Sequence, residues 1–146
     1  MPPCRGRARS LRSPAMISAP SQRVKFPALR DPRYPVHKIA DQLEPCLHAI
    51  VEGIRPERII LFGSQAYGEP GEHSDVDLLV VRRGIESELH SNIEIRRVMR
   101  AADFANLPFT ILSKTPERIA EQLGKHSTFY EEIVGRGVRL YEAGQD

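Results

Sequence analysis

The stretch from Leu61 to Val81, LFGSQAYGEPGEHSDVDLLVV, contains two apolar runs separated by a polar loop. Two carboxylates, Asp75 and Asp77, open the second run one residue apart. If this segment is extended, both side chains leave the same face of the sheet, because successive residues of a strand alternate. Such a pair of like charges is costly unless a cation or a shared proton neutralises it, and carboxylate oxygens are ligands that Mg²⁺ prefers. The spacing therefore predicts a divalent-metal site.

The dipeptide Gly63–Ser64 follows the first apolar run. A glycine lets a phosphate group approach the backbone, and amides that open a helix can donate to an anion together with a serine hydroxyl. Taken alone, the dipeptide could be a simple strand-to-helix turn, and the two acids could be surface residues at the start of a strand. Their spacing favours one unit that binds both metal and phosphate. Asp-rich phosphatase loops and many sugar-transferase motifs fit less well, since their acids follow a strand.

The rest of the chain predicts strands that alternate with helices. Apolar runs indicate strands at 57–63, 75–81 and 107–113, and a short helical turn at 64–67. Thr115 and Pro116 begin a helix that ends before Gly124, and a short helix with an extended segment follows to about residue 142. This order predicts an α/β (α+β) layered fold, with a mixed sheet of three to four strands flanked by helices.

Two longer helices are expected from apolar residues at helical spacing. The first covers residues 36–54, with a kink or restart at Pro45 and a stop at Gly53. The second covers residues 86–102. Its apolar face is predicted to consist of Leu89, Ile93 and Val98.

Charge divides the chain into two parts. Residues 1–35 hold eight Lys or Arg and one Asp, whereas residues 36–146 hold thirteen Lys or Arg and eighteen Asp or Glu. The first part is rich in Arg, Ser and Pro and lacks apolar periodicity, which predicts a disordered basic arm at 1–35 before one domain at 36–146. The arm could be a solvated tail, an upstream extension of a chain that begins at Met16, a nucleic-acid contact or a targeting peptide.

The two cysteines, Cys4 and Cys46, show neither a zinc spacing nor a disulfide framework. Cys46 is expected to pack as a small apolar residue. No apolar run approaches the length of a membrane span. A cytoplasmic protein without membrane contact is therefore the simplest expectation.

The segment Gly63–Val80, GSQAYGEPGEHSDVDLLV, resembles the signature of the DNA-polymerase-beta-like nucleotidyltransferases: Gly-Ser, a short helix with Gly, then Ser-Asp-x-Asp and an apolar strand. The chain is similar in particular to the small, stand-alone minimal nucleotidyltransferases, from about residue 38 to its end. The resemblance implies a palm-like sheet and transfer of a nucleoside monophosphate from a nucleoside triphosphate, with ATP expected, to an acceptor hydroxyl. It also implies two Mg²⁺ ions that orient the triphosphate and stabilise the displacement.

Matched by position, the resemblance assigns Gly63 and Ser64 to nucleotide binding. It assigns Asp75 and Asp77 to metal binding and catalysis. Ser74 would brace the turn before the strand.

The chain departs from the family pattern at Thr110. Family enzymes usually carry a third carboxylate on a later strand, which serves as base and metal ligand, and here Thr110 stands at that place. Its side chain is expected to face the same side of the sheet as the first two acids. A hydroxyl is a far weaker metal ligand, and Asp103, seven residues earlier, is a poor substitute. Catalysis could therefore be weakened while nucleotide binding remains intact.

Two functions remain open at this stage. The first is a Mg²⁺-dependent nucleotidyltransferase that acts on a protein or small-molecule hydroxyl. The second is the antitoxin of a HEPN and minimal-nucleotidyltransferase pair, which would bind or AMP-modify a small helical ribonuclease in a hetero-oligomer. Template-directed polymerisation and RNA tailing fit poorly, because the chain lacks room for further modules and its predicted domain is acidic. The acceptor and the oligomeric state, including a homo-oligomer, stay open.

Overall fold

The computed structural model describes residues 24–70, 75–101 and 107–144. Two short 3₁₀ segments, Pro27–Arg30 and Pro35–Ile39, precede the first α-helix. The remaining elements are α1 (Ala40–Ile54), β1 (Arg58–Phe62), α2 (Ser64–Tyr67), β2 (Val76–Val81), α3 (Glu88–Ala101), β3 (Phe109–Lys114), α4 (Pro116–Gly124), α5 (Thr128–Arg136) and β4 (Val138–Glu142). Among the described residues, no helix is long and apolar enough to cross a membrane.

The four strands form one mixed sheet in the order β3-β2-β1-β4. Strand β1 pairs antiparallel with β2 and with β4, whereas β2 and β3 are parallel. Phe62 at the end of β1 lies opposite Asp77, and Asp77 in turn lies beside Thr110. At one end of the sheet, therefore, the end of β1 lies beside the starts of the other three strands. The predicted α+β fold with a mixed sheet flanked by helices is confirmed.

Both faces of the sheet are covered. On the first face, α1, α3 and the 3₁₀ segments bury the larger core, and on the second face α4 and α5 bury a smaller one. Strand β2 alternates between them, as a strand with two buried faces must. Its residues on the first face are Val76, Leu78 and Val80, and those on the second are Leu79 and Val81.

The packed part of the chain begins earlier than predicted. Residues 24–35 were assigned to a disordered arm, yet Phe26 and Leu29 are buried in the larger core. The segment contains only a few apolar residues without periodicity, so its contribution depends on contacts that no local pattern reveals. The domain therefore extends at least to residue 24, and residues 1–23 of the predicted arm lie outside the described part.

Helix α1 continues through Pro45, where a kink or restart was predicted. Pro45 lacks the amide that would donate to Asp41, but the surrounding helix packs a continuous buried stripe against the sheet. The predicted stop at Gly53 is also wrong, because the helix ends at Ile54 and Arg55 adopts the left-handed conformation, with φ 54°. A Cβ at Gly53 would lie 2.8 Å from Val98 Cγ1, so this glycine allows α1 and α3 to approach each other.

The predicted apolar face of α3 is wrong at Leu89 and Ile93, whereas Val98 is partly buried against the larger core as predicted. Leu89 and Ile93 are 67% and 45% exposed. The buried residues are instead Ser91, Ile95 and Met99. Ser91 is buried because its hydroxyl pairs with the hydroxyl of Ser113 on β3 and accepts from Arg82 at 2.9 Å. Because a polar serine occupies the buried face and is satisfied there by hydrogen bonds, the spacing of apolar residues alone does not identify that face.

Candidate functional site

The two acids of the central motif lie at the start of β2. Asp77 belongs to the strand and Asp75 precedes it directly, so both share the alternation of Leu79 and Val81. They therefore project toward the face covered by α4 and α5. Asp75 is exposed and Asp77 is partly buried. Neither carboxylate has an ion-pair partner within residues 24–70, 75–101 and 107–144.

The electrostatics of this pair favour a bound cation. Burial raises the pKa of the Asp77 carboxyl above its ordinary value, and the nearby charge of Asp75 raises it further. The neighbouring Thr110 hydroxyl lowers this pKa and so partly offsets both effects. The ionised pair is thus under repulsion that no cationic side chain among the described residues neutralises. Two acceptor-only carboxylates in this state suit a hard divalent ion such as Mg²⁺.

Gly63 lies in the turn after β1, and its backbone packs closely against the Asp77 carboxylate. Its φ of 77° lies in the left-handed region, which side chains rarely adopt. A Cβ built at Gly63 would collide with Asp77 Oδ2, so only glycine lets the turn and the carboxylate lie this close. Gly68 closes the same turn tightly, because a Cβ there would lie 2.7 Å from Ser64 Cα.

The turn presents free donors beside these acids. In the described part of the chain, the Ser64 hydroxyl and the amides of Ser64 and Gln65 have no hydrogen-bond acceptor. The next two amides, of Ala66 and Tyr67, both donate to the Gly63 carbonyl, at 3.0 and 3.1 Å. The first amides of a helix lack intrahelical partners, because the helix has no carbonyl four residues before them to accept their hydrogen bonds. Here they lie directly after Gly63, next to the acids.

Thr110 lies where the register of the sheet predicts. It is the neighbour of Asp77 across the parallel β2–β3 pair, and its hydroxyl donates to Asp75 Oδ2 at 3.2 Å. The expectation that Thr110 faces the same side as the acids is therefore confirmed. Among the described residues, no group of three or more His, Cys, Asp and Glu side chains could hold a metal ion. The described site thus offers two carboxylates and a hydroxyl.

A second group of side chains, which the sequence analysis missed, lies beside the turn. Arg136 at the end of α5 stacks over the Tyr67 ring, with 4.4 Å from the guanidinium carbon to the ring centroid. Tyr67 donates to Glu132 at 3.4 Å, and Arg136 pairs with the same carboxylate at 3.1 Å. Leu61 pairs with Val138, which brings the end of α5 next to the turn. The long separation along the chain leaves no local signal for this contact.

Some sequence predictions fall on residues that the structure does not describe. Ser74, predicted to brace the turn before β2, lies outside the described residues, as do Asp103 and Cys4. Cys46 is described, and it is buried as expected for a small apolar residue. Burial raises the pKa of its thiol to about 12, so Cys46 is not a reactive nucleophile.

Comparison with known proteins gives a family and a fold. The nucleotidyltransferase domain family matches residues 42–144. Among solved structures, a candidate nucleotidyltransferase from Sulfolobus solfataricus is similar, with a TM-score of 0.50 and 16% sequence identity over 72% of this chain and 81% of that chain. At this identity the likeness supports the fold alone. No curated protein matches the chain.

Proposed function

The chain belongs to the nucleotidyltransferase domain family, and on this premise we propose that it transfers AMP from ATP to an acceptor hydroxyl on a protein or small molecule, with Mg²⁺. One observation carries the proposal: Asp75 and Asp77 share a face of the sheet beside the Gly63–Ser64 turn, and no described cation neutralises them. Two carboxylates next to free donors are the groups needed to hold a metal–triphosphate complex.

Each residue has a separate task in the proposed reaction. Asp75 and Asp77 would hold the ions, and Ser64 would donate its hydroxyl and amide to the phosphates. Gly63 keeps the turn close to Asp77. Bound Mg²⁺ would supply charge stabilisation for an in-line displacement.

The proposed displacement leaves the acceptor's proton without a carboxylate base. The acceptor oxygen forms a bond to the α-phosphorus, the bond to the bridging oxygen breaks, and pyrophosphate leaves. Thr110 donates its own proton to Asp75 and is too weak a base to accept another. We therefore infer that the acceptor's proton passes to solvent, and that transfer is slow compared with an enzyme that has a third carboxylate.

The test is a transfer assay with ATP labelled at the α-phosphate, Mg²⁺ and candidate acceptors. We expect label in the acceptor for the native chain, and background levels for Asp75→Asn, for Asp77→Asn and in excess EDTA. Glu52→Gln is the matched control, because it removes one exposed carboxylate of α1 and should transfer normally. Transfer that survives both Asn substitutions would show that these acids are not the catalytic pair.

A second candidate function, binding of a small helical HEPN-type ribonuclease as its antitoxin, has its own support. Thr110 leaves the site without a third acid at that position. Helix α3 exposes Leu89 and Ile93, which are four residues apart and so lie on one helix face. An exposed apolar pair on a helix suits contact with another helix.

Co-expression with the product of the neighbouring gene tests this candidate. We expect co-purification with the native chain and its loss with Leu89→Glu combined with Ile93→Glu. Arg97→Glu serves as the control, since it adds negative charge to an exposed position of the same helix. The absence of a gene for a small helical protein beside this gene would contradict the antitoxin hypothesis.

A further inference from the structure

A surface groove of about 540 Å³ lies along α5. Its lining includes Phe129, Glu132 and Arg136, which are three and four positions apart and therefore share one face of the helix. The groove is of a size that small-molecule sites commonly have. Its position relative to the acids and the phosphate turn decides what it can bind.

The groove lies beside the Gly63–Ser64 turn. Phe62 directly precedes the turn, and the centroid of its ring lies 5.8 Å from that of Phe129. Tyr67, at the end of the short helix after the turn, donates to Glu132 at 3.4 Å. Residues on both sides of the turn therefore contact residues that line the groove, which places the groove next to the free donors of the turn.

The helix that carries the groove covers the face of the sheet to which the acids project. Phe62 lies opposite Asp77 in the antiparallel β1–β2 pair, and the side chains of opposite residues leave the same face. Phe62 belongs to the smaller core under α4 and α5. A triphosphate bound at the acids and the turn would therefore carry its nucleoside toward this face, where α5 lies.

Phe129 is held in place by two other rings. Its plane is nearly perpendicular to those of Phe62 and Tyr130, at 88° and 86°, with ring centroids 5.8 and 5.3 Å apart. Such edge-to-face contacts stabilise aromatic pairs. The side chain is nevertheless 49% exposed. A fixed, half-exposed ring is a stacking surface that is ordered before a ligand arrives, which lowers the entropic cost of binding.

The charges of the groove suit a neutral group better than a phosphate. Glu131 and Glu132 both line it, and carboxylates repel anions. Arg136 pairs with Glu132 at 3.1 Å and stacks over Tyr67, so its charge is already engaged. The part of a nucleotide that is neutral and aromatic is its base, and every base has a face that can stack on a ring such as Phe129.

We propose that Phe129 is the base-stacking residue of the nucleotide site and that the groove binds adenine. The inference rests on the proposed function, because it takes the metal–triphosphate group to lie at Asp75, Asp77 and the turn. Glu131, one of whose oxygens lies 3.8 Å from His126 Nδ1, has a second oxygen that can accept from an exocyclic amine but cannot donate to a carbonyl. Adenine carries that amine and no carbonyl, whereas uracil carries two carbonyls and no amine.

The test is calorimetric titration of the full chain with Mg·ATP, Mg·UTP and Mg·tripolyphosphate, the last of which has no base. We expect the native chain to bind Mg·ATP most tightly. Phe129→Ala should weaken Mg·ATP about tenfold, within the range for loss of one stacked base, and leave Mg·tripolyphosphate unchanged. Val134→Ala is the matched control, since Val134 is 48% exposed on the same helix but does not line the groove, and it should leave all three affinities unchanged.

Two further variants separate stacking from packing. Phe129→Leu keeps an apolar side chain beside Phe62 and Tyr130 but has no ring, so it should weaken Mg·ATP as alanine does, whereas Phe129→Trp should retain the native affinity. Unchanged Mg·ATP affinity in both the Ala and the Leu variant would overturn the proposal. Parallel loss of Mg·tripolyphosphate binding in both would also overturn it, because it would show that Phe129 only supports the fold.

The native chain distinguishes this inference from the proposed function. Equal affinities for Mg·ATP and Mg·tripolyphosphate would refute the base site and leave nucleotidyl transfer in place. Binding of none of the three would refute both. Tighter binding of Mg·ATP that depends on Phe129, in a chain that transfers no label, would support the base site and count against transfer alone.

Discussion

At the scale of single residues, the backbone of Gly63 lies so close to the Asp77 carboxylate that no side chain fits at position 63. Gly63→Ala would place a Cβ against Asp77 Oδ2 in a left-handed backbone conformation. We expect a loss of about 1–3 kcal/mol in the free energy of unfolding, together with weaker Mg²⁺ binding because the carboxylate must move. Urea denaturation and metal titration measure the two effects.

Gly135→Ala is the control for that substitution. A Cβ at Gly135 meets no described atom within 4 Å, and the residue lies in α5. Alanine is the better helix former, so this variant should gain up to about 1 kcal/mol. Equal stability of Gly63→Ala and the native chain would show that the turn can relax away from Asp77.

The raised pKa of Asp77 makes a prediction for the metal-free protein. The folded state holds this proton to higher pH than the unfolded state, whose value is near 3.8. The protonated form of Asp77 therefore stabilises the folded state fully below the pKa of the unfolded chain. This contribution to the free energy of unfolding is lost as pH rises through the pKa of the folded state. We expect Asp77→Asn in EDTA to become progressively more stable than the native chain as pH rises to neutrality.

Thermal denaturation across this pH range, with and without Mg²⁺, checks the expectation. Added Mg²⁺ should stabilise the native chain and leave Asp77→Asn almost unchanged, because the ion relieves the repulsion of the ionised pair. An Asn variant that is less stable than the native chain at neutral pH in EDTA would contradict the proposed repulsion.

Thr110 is the residue at which the reaction can be strengthened. Thr110→Asp would place a third carboxylate next to Asp77 across the β2–β3 pair, within reach of a bound ion. We expect the label-transfer rate to rise with Mg²⁺, and Thr110→Asn, which adds no charge, to show no rise. Decreased transfer in the Asp variant would mean that the site is built for a hydroxyl.

At the scale of elements, α1 tolerates Pro45 because tertiary packing outweighs local propensity. Pro45 is exposed, whereas Leu43, Cys46 and Leu47 around it are fully buried. Pro45→Ala restores one backbone amide without disturbing that stripe. We expect the free energy of unfolding to rise by about 1–3 kcal/mol. Gln42→Ala, also exposed in α1, should change it by less than about 0.5 kcal/mol, and urea denaturation distinguishes the two.

At the scale of the whole molecule, the segment before the family match belongs to the core. Leu29 is fully buried although it lies upstream of residue 42. Leu29→Ala should lower the free energy of unfolding by about 2–5 kcal/mol, as large-to-small core substitutions do. Lys25→Ala nearby should have little effect. A native-like denaturation midpoint for Leu29→Ala would show that the segment packs only weakly.

The sequence by itself determined the features that depend on local spacing. The alternation of β2 follows from period-two side chains and places Asp75 and Asp77 on one face. The N-cap of α4 is likewise local, since the Thr115 hydroxyl accepts from the Arg118 amide at 3.0 Å. These features depend only on residues close together in the chain, so they can be predicted from the sequence.

Tertiary structure alone decided the contacts between distant segments. The buried face of α3 depends on Ser113, twenty-two positions from Ser91. The Tyr67–Arg136 stack likewise joins segments far apart in the chain. Burial of a residue is set by what packs against it from elsewhere in the fold, and a local pattern carries no record of that partner.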